Sequence, residues 1–265
     1  SASDADIEER LHTLRDDSAS WALPDEHWSL PGQQEKFALV RRDDQWFTAK
    51  GSAATTHIIK PGIGRLHHQA LVEYATMRAA RNVGIDVADV SFTHFGTEAA
   101  IVIERFDRIR LDDNEVVRVH QEDFCQAAGV LPERKYEEHN GPGLALLGDI
   151  LGKHSTDPEP DRWALAEFAA FNYVAGAPDG HAKNISLALW PDDIHVAPLY
   201  DLATSFPYED RSPATRKSAF SIGGRREFGQ VMGKHWDRAA RDMKVDPERY
   251  RDVVRDMAEA LPDAF

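Results

Sequence analysis

Apolar residues in this chain change rhythm once: they favour alternate or consecutive positions in short runs up to about residue 107, and helical spacing from Gln121 onward. Short β-rich runs suit a sheet, whereas a period near 3.6 lays a helix on a core. Strands are expected at Phe37-Ala38-Leu39-Val40, Gln45-Trp46-Phe47-Thr48 and Thr56-His57-Ile58-Ile59-Lys60, with turns at Asp43-Asp44 and Lys50-Gly51. Two more are expected over Val87 to Phe95 and Ala99 to Phe106. A charged helix fits residues 4–17, and a second fits Gln69 to Asn82, stopped by Gly84. Beyond Gln121 the helical patterns are Glu122 to Ala128, Leu144 to Leu151, Trp163 to Val174, Arg226 to Asp242 and Pro247 to Leu261. Only Ile185 to Trp190 and Ile194 to Tyr200 read as strands there, a hairpin turned at Pro191-Asp192-Asp193. The expectation is an α+β chain: a β-rich lobe over 1–107, a mainly helical lobe over 108–265, and a cleft suited to a nucleotide.

With 265 residues, 42% of them hydrophobic, the chain can bury a substantial core. Its formal charge of -14 argues against gripping a phosphate backbone by itself, so any DNA should be held through another protein. A single cysteine, Cys125, excludes an intramolecular disulfide framework and a multi-cysteine zinc site, and fits a reducing cytoplasm. No apolar run approaches the ~20 residues that span a bilayer, and the first residues lack a signal-peptide pattern, so a cytoplasmic location without membrane contact is expected. The first residue is Ser rather than Met, which points to a processed or engineered start.

The sharpest local feature is Asp179-Gly180-His181-Ala182-Lys183-Asn184, which ends a helical pattern and precedes the hairpin, with Asp201 beyond it. Asp, four residues, then Asn is the spacing of kinase catalytic loops, where the carboxylate orients a substrate hydroxyl and the amide oxygen holds magnesium. Asp201 would supply a second hard oxygen, and Mg²⁺ needs few protein ligands because it keeps waters and phosphates. Taken alone, Asp179 is as readily a turn cap and Asn184 a strand start.

Lys60 ends an Ile-rich strand and is placed to reach a nucleotide's phosphates, with Glu73 on the following helix as an ion-pair partner. Each residue is more commonly a solvated surface group. Backbone groups of Glu104 and Phe106, in the Glu104-Arg105-Phe106-Asp107 stretch, stand where an adenine would be held. The stretch His120-Gln121-Glu122-Asp123 reads first as a helix start, its acidic residues favoured by the dipole.

Five ordered stretches resemble the HipA family of toxin kinases: S-L-P-G-Q-Q-E-K-F-A-L at 29–39, T-T-H-I-I-K at 55–60, I-E-R-F-D-R at 103–108, K-Y-E-E-H-N-G-P-G at 135–143, and D-G-H-A-K-N with A-P-L-Y-D. The resemblance implies a two-lobed fold related to phosphatidylinositol kinases and an ATP- and Mg-dependent serine/threonine protein kinase. It makes Asp179 the catalytic base, Asn184 and Asp201 the magnesium ligands, Lys60 a phosphate contact, and Glu104 and Phe106 the flanks of the adenine. His181 and Lys183 would shape the site, and Ser29 would be the autophosphorylated serine of a loop lying over the phosphates. A phosphate there adds about -1.5 to -2 charges, which ATP's own phosphates would repel. The implied protein substrate is an aminoacyl-tRNA synthetase, the glutamyl enzyme foremost. The implied partner is a HipB-type helix-turn-helix antitoxin that binds operator DNA. Full-length members carry a long portion before the Ser29 loop and a longer tail after Ala260; a separate chain, a natural loss or trimming would each account for the difference. A small-molecule kinase, or an inactive kinase-fold module serving as the antitoxin's corepressor, are the alternative readings.

Overall fold

The computed structural model describes residues 1–16, 35–62, 66–111, 115–208 and 217–265; Ser29 and the loop around it lie outside the described residues. The chain divides into two compact units, one of Ser1–Ala75 with Ala88–Arg118 and one of Thr76–Val87 with Val119–Phe265.

The first unit contains α1 (Asp4–Asp16), β1 (Phe37–Arg42), β2 (Gln45–Phe47), β3 (His57–Pro61), the start of α2 (Gln69–Asn82), β4 (Val90–Phe95) and β5 (Glu98–Glu104). The five strands form one antiparallel sheet in the order β2-β1-β3-β5-β4. Strand β3 is therefore central, and Lys60, opposite Ile101, is buried. Helix α1 presents Ile7, Leu11 and Leu14, spaced four and three residues apart, to Phe37, Leu39, Ile59, Phe95 and Val102 of the sheet. Burying each aliphatic chain contributes about 1.5–3 kcal/mol relative to exposure, which fastens a strongly charged helix despite its polar composition.

The expected strands and α2 are present, but three strand pairs were not anticipated. β6 (Arg108–Arg110) and β7 (Val116–Arg118) form a hairpin in the first unit. In the second unit, residues His120–Asp123 form β8, not the start of a helix, because they pair with β9 (Ser186–Trp190), Asp123 facing Ser186. The helix α3 (Phe124–Ala127) begins one residue later, with Asp123 and Gln126 completing a capping box. Strand β10 (Asp193–Val196) completes the three-stranded sheet β10-β9-β8.

β11 (Lys217–Ile222) and β12 (Arg225–Glu227) form the third pair, so the stretch from Arg226 begins as a strand, and α6 starts at Gly233 (Gly233–Met243). The remaining helices are α4 (Leu144–His154), α5 (Pro158–Val174) and α7 (Pro247–Ala264). Their core includes Leu147, Leu151, Phe168, Phe171 and Tyr250, all fully buried. The Tyr250 hydroxyl donates to the Ala166 carbonyl at 2.9 Å, so its only polar atom is satisfied where water does not reach. Among the described residues, no helix is long and apolar enough to cross a membrane.

Candidate active site

Helix α5 delivers the Asp179–Asn184 loop. Ala177 N–H donates to the Asn172 carbonyl at 2.8 Å, and Gly176 follows the helix end with φ of +63°, turning the chain away. Ala182 and Ile185 have no exposed surface, so the loop is pinned by its own apolar residues. The Phe124 amide, at the start of α3, donates to the Ala182 carbonyl at 3.0 Å. Gly180 lies directly over the Asn172 carboxamide, where a Cβ would collide with it. Asn172 gives its amide N–H to Phe168 O at 2.8 Å, and its buried Oδ1 finds no partner among the described residues.

Within the loop, the Asp179 carbonyl accepts from the His181 amide at 2.8 Å and from Asn184 Nδ2 at 2.8 Å. The second bond sets the carboxamide's orientation, leaving Oδ1 as the atom able to meet a cation. The Asp179 side chain is 62% exposed while that of His181 is 5% exposed, so a solvent-facing carboxylate rests on a buried ring. Burial lowers the His181 pKa despite the nearby carboxylates of Asp179 and Asp201, favouring neutral imidazole. The Tyr136 hydroxyl donates to Asp179 Oδ1, and its ring meets His181 edge-on at 5.0 Å between centroids.

Lys183 turns its ammonium to Asp123 Oδ2 at 2.6 Å, with both side chains largely buried. Asp123 thus ends β8, caps α3 through the Gln126 amide and neutralises the loop lysine. Tyr200 O–H donates to the Lys183 carbonyl at 3.0 Å and receives the Ser186 hydroxyl, tying the residue before Asp201 to the loop. Asp201 has φ of +60°. A non-glycine residue costs about 1–3 kcal/mol there, and such outliers concentrate where function fixes a side chain.

A carboxamide oxygen on Asn184 and a carboxylate on Asp201 are hard donors of the kind Mg²⁺ takes. Among the described residues no group of three or more His, Cys, Asp or Glu gathers in a manner suited to a metal. Two protein oxygens with the rest of the shell left to water and phosphate fit Mg²⁺ and do not fit zinc.

In the first unit, Lys60 Nζ donates to Glu73 Oε1 at 2.8 Å, with 6% and 1% of the side chains exposed. The Glu104 amide is committed to Asp89 O at 2.8 Å, and the next amide, of Arg105, donates to Thr56 O at 2.9 Å. Arg105 also grips Asp107 through two bonds of 2.9 and 2.8 Å, with Phe106 between them. Burial would raise the Asp107 carboxyl, but Arg105 and Arg108 outweigh it and hold its pKa below the usual value. The turn after Glu104 is therefore braced from both sides. Sequence pattern gives no role to Tyr136 or Asn172 and makes Asp123 part of a helix start, whereas it ends β8 and caps α3; Tyr136 sits in the 135–143 stretch, visible as a motif without a stated purpose.

The family model described as the HipA-like C-terminal domain matches residues 28–265. A Sinorhizobium fredii protein, Y4mE, which bears the provisional name of a kinase, is 36% identical over 89% of this chain and 56% of its own length. The serine/threonine-protein kinase toxin HipA of Shewanella oneidensis is 34% identical over 69% of this chain and 44% of its own. The chain thus spans about half the length of these curated relatives. Among solved structures, the Shewanella oneidensis HipA, HipB and operator DNA complex aligns with a TM-score of 0.82 at 26% identity, covering 97% of this chain and 62% of the other. The Helicobacter pylori proinflammatory kinase CtkA aligns at 0.55 with 10% identity over 85% of this chain and 88% of its own, a likeness of fold alone.

Proposed function

The chain belongs to the HipA-like C-terminal domain family, and from that premise we propose that it is an ATP- and Mg-dependent serine/threonine protein kinase of the toxin–antitoxin class. The observation that carries the reading is the Asp179–Asn184 loop: an exposed carboxylate whose backbone carbonyl fixes the amide that would hold the metal. Asp179 accepts the proton of the acceptor hydroxyl as oxygen attacks the γ-phosphorus and the bond to ADP breaks. Asn184 Oδ1 and the Asp201 carboxylate hold Mg²⁺, which when bound neutralises charge on the phosphates. Lys60, oriented by Glu73, contacts the phosphates, and Glu104 and Phe106 flank the adenine. Lys183 anchors the loop through Asp123, and neutral His181 supports Asp179 from beneath.

The same family membership supports the finer parts of the proposal. The acceptor is an aminoacyl-tRNA synthetase, the glutamyl enzyme foremost, with self-transfer to Ser29. A HipB-type antitoxin is the partner and the sole link to DNA, in keeping with the net charge of -14, and the protein works in the cytoplasm.

Incubation with γ-labelled ATP and Mg²⁺ tests the reading. Label should enter Ser29 of the chain itself or the synthetase, and Asp179→Asn should slow its transfer about a thousandfold, to a small residual rate. Absence of transfer, together with a melting temperature that ignores Mg-ATP, would instead identify a corepressor module.

A further inference from the structure

The K-Y-E-E-H-N-G-P-G stretch at 135–143 has no part in the proposal above, yet its tyrosine reaches the centre of the loop. Resting on the kinase reading, we propose that Tyr136 is a positioning residue for phosphoryl transfer: its hydroxyl holds Oδ1 of Asp179 and so aims the second carboxylate oxygen at the acceptor hydroxyl.

An exposed aspartate has two free torsions, and a base that samples several rotamers spends little time in the productive one. His181 Nε2 lies 3.7 Å from Oδ1, too far for a hydrogen bond. Among the described residues, the hydrogen bond to the carboxylate comes from Tyr136.

The tyrosine itself is held. Its carbonyl accepts from the amides of His139 at 3.0 Å and Gly141 at 2.9 Å, closing a tight loop. Asn140 takes φ of +61° within that loop, and a Cβ at Gly141 would strike the carbonyls of Arg134 and Tyr136. Glu137 Oε2 accepts from the Ser221 amide at 2.7 Å, and Glu138 pairs with Arg226 at 2.8 Å, which docks the stretch onto β11 and β12. Ring contact with His181 fixes the phenol's direction. Burial and the Asp179 carboxylate both push the phenol pKa up, so the group gives a hydrogen bond and keeps its proton. During transfer the acceptor's proton goes to the free Asp179 oxygen, while Tyr136 remains neutral throughout.

The experiment follows transfer from γ-labelled ATP to the chain itself and to dephosphorylated casein. Tyr136→Phe removes the hydroxyl and keeps the ring; kcat should fall about tenfold to a hundredfold with the KM for ATP and the melting temperature unchanged. Tyr136→Leu should lose as much as Tyr136→Phe, whereas a packing role would spare the phenylalanine. In an Asp179→Asn background, Tyr136→Phe should cost nothing further, because a group acting through Asp179 has nothing left to act on. A phenylalanine variant at the wild-type rate, or losses that multiply independently, would overturn this inference and leave the kinase reading intact. A wild-type chain that transfers nothing overturns the kinase reading, and this inference with it.

Discussion

Lys60 and Glu73 form an ion pair of 2.8 Å in which neither side chain has appreciable contact with water. Lys60 comes from the central strand of the five-stranded sheet and Glu73 from α2, so sheet and helix are joined by charge as well as by packing. A pair buried this deeply adds little net stability, but removing one half takes from the other its buried counter-charge.

Glu73→Ala should therefore destabilise the protein by roughly 3–5 kcal/mol, read as a lowered urea midpoint. A loss under about 1 kcal/mol would mean that Lys60 finds other compensation.

Gly180→Ala should impair phosphoryl transfer, because the new methyl falls on the Asn172 carboxamide and pushes Asp179 and Asn184 apart. Adding Asn172→Ala opens the space and should restore part of the rate. Equal activity of Gly180→Ala and wild type would show that the loop does not depend on this close approach.

Asn184→Ala should raise the Mg²⁺ concentration required for half-maximal transfer by about tenfold or more, since one of two protein oxygens is lost. A magnesium titration of labelled transfer reads this directly, and an unchanged midpoint would remove Asn184 from the metal.

Stability should decline with acid through His57. Burial, then the charges of Arg41 and Arg110, lower its pKa from 6.5 to about 4, so between these values the unfolded chain takes a proton that the folded chain refuses. Stability present above about pH 6.5 is progressively lost down to about pH 4, and His181 is shifted in the same direction. Urea midpoints across that window should fall less steeply for His57→Phe than for wild type.

Much of this could be read from residues alone. Helix Gln69–Asn82 was legible because its apolar spacing is regular and Gly84 follows it, and the β-rich runs of the first unit were equally plain. β8 was obscured because His120-Gln121-Glu122-Asp123 has no apolar residue; its pairing with β9 and the acidic cap of α3 decide its state. The β11–β12 hairpin carried a legible sign, Gly223-Gly224 with φ of +56° and +94°, passed over beside the helical pattern that follows. The spacing from Asp179 to Asn184 was visible in one dimension. The tyrosine that meets Asp179 stands 43 positions upstream, a separation that no local pattern encodes.

Asp123 leaves its codon almost no room to drift. Asparagine would still start α3 but abandon the Lys183 ammonium, glutamate could reach the ammonium but cap the helix poorly, and alanine would forfeit both. In a saturation library sorted for soluble, competent protein, this position should come back as aspartate alone, while its exposed neighbour His120 accepts many residues.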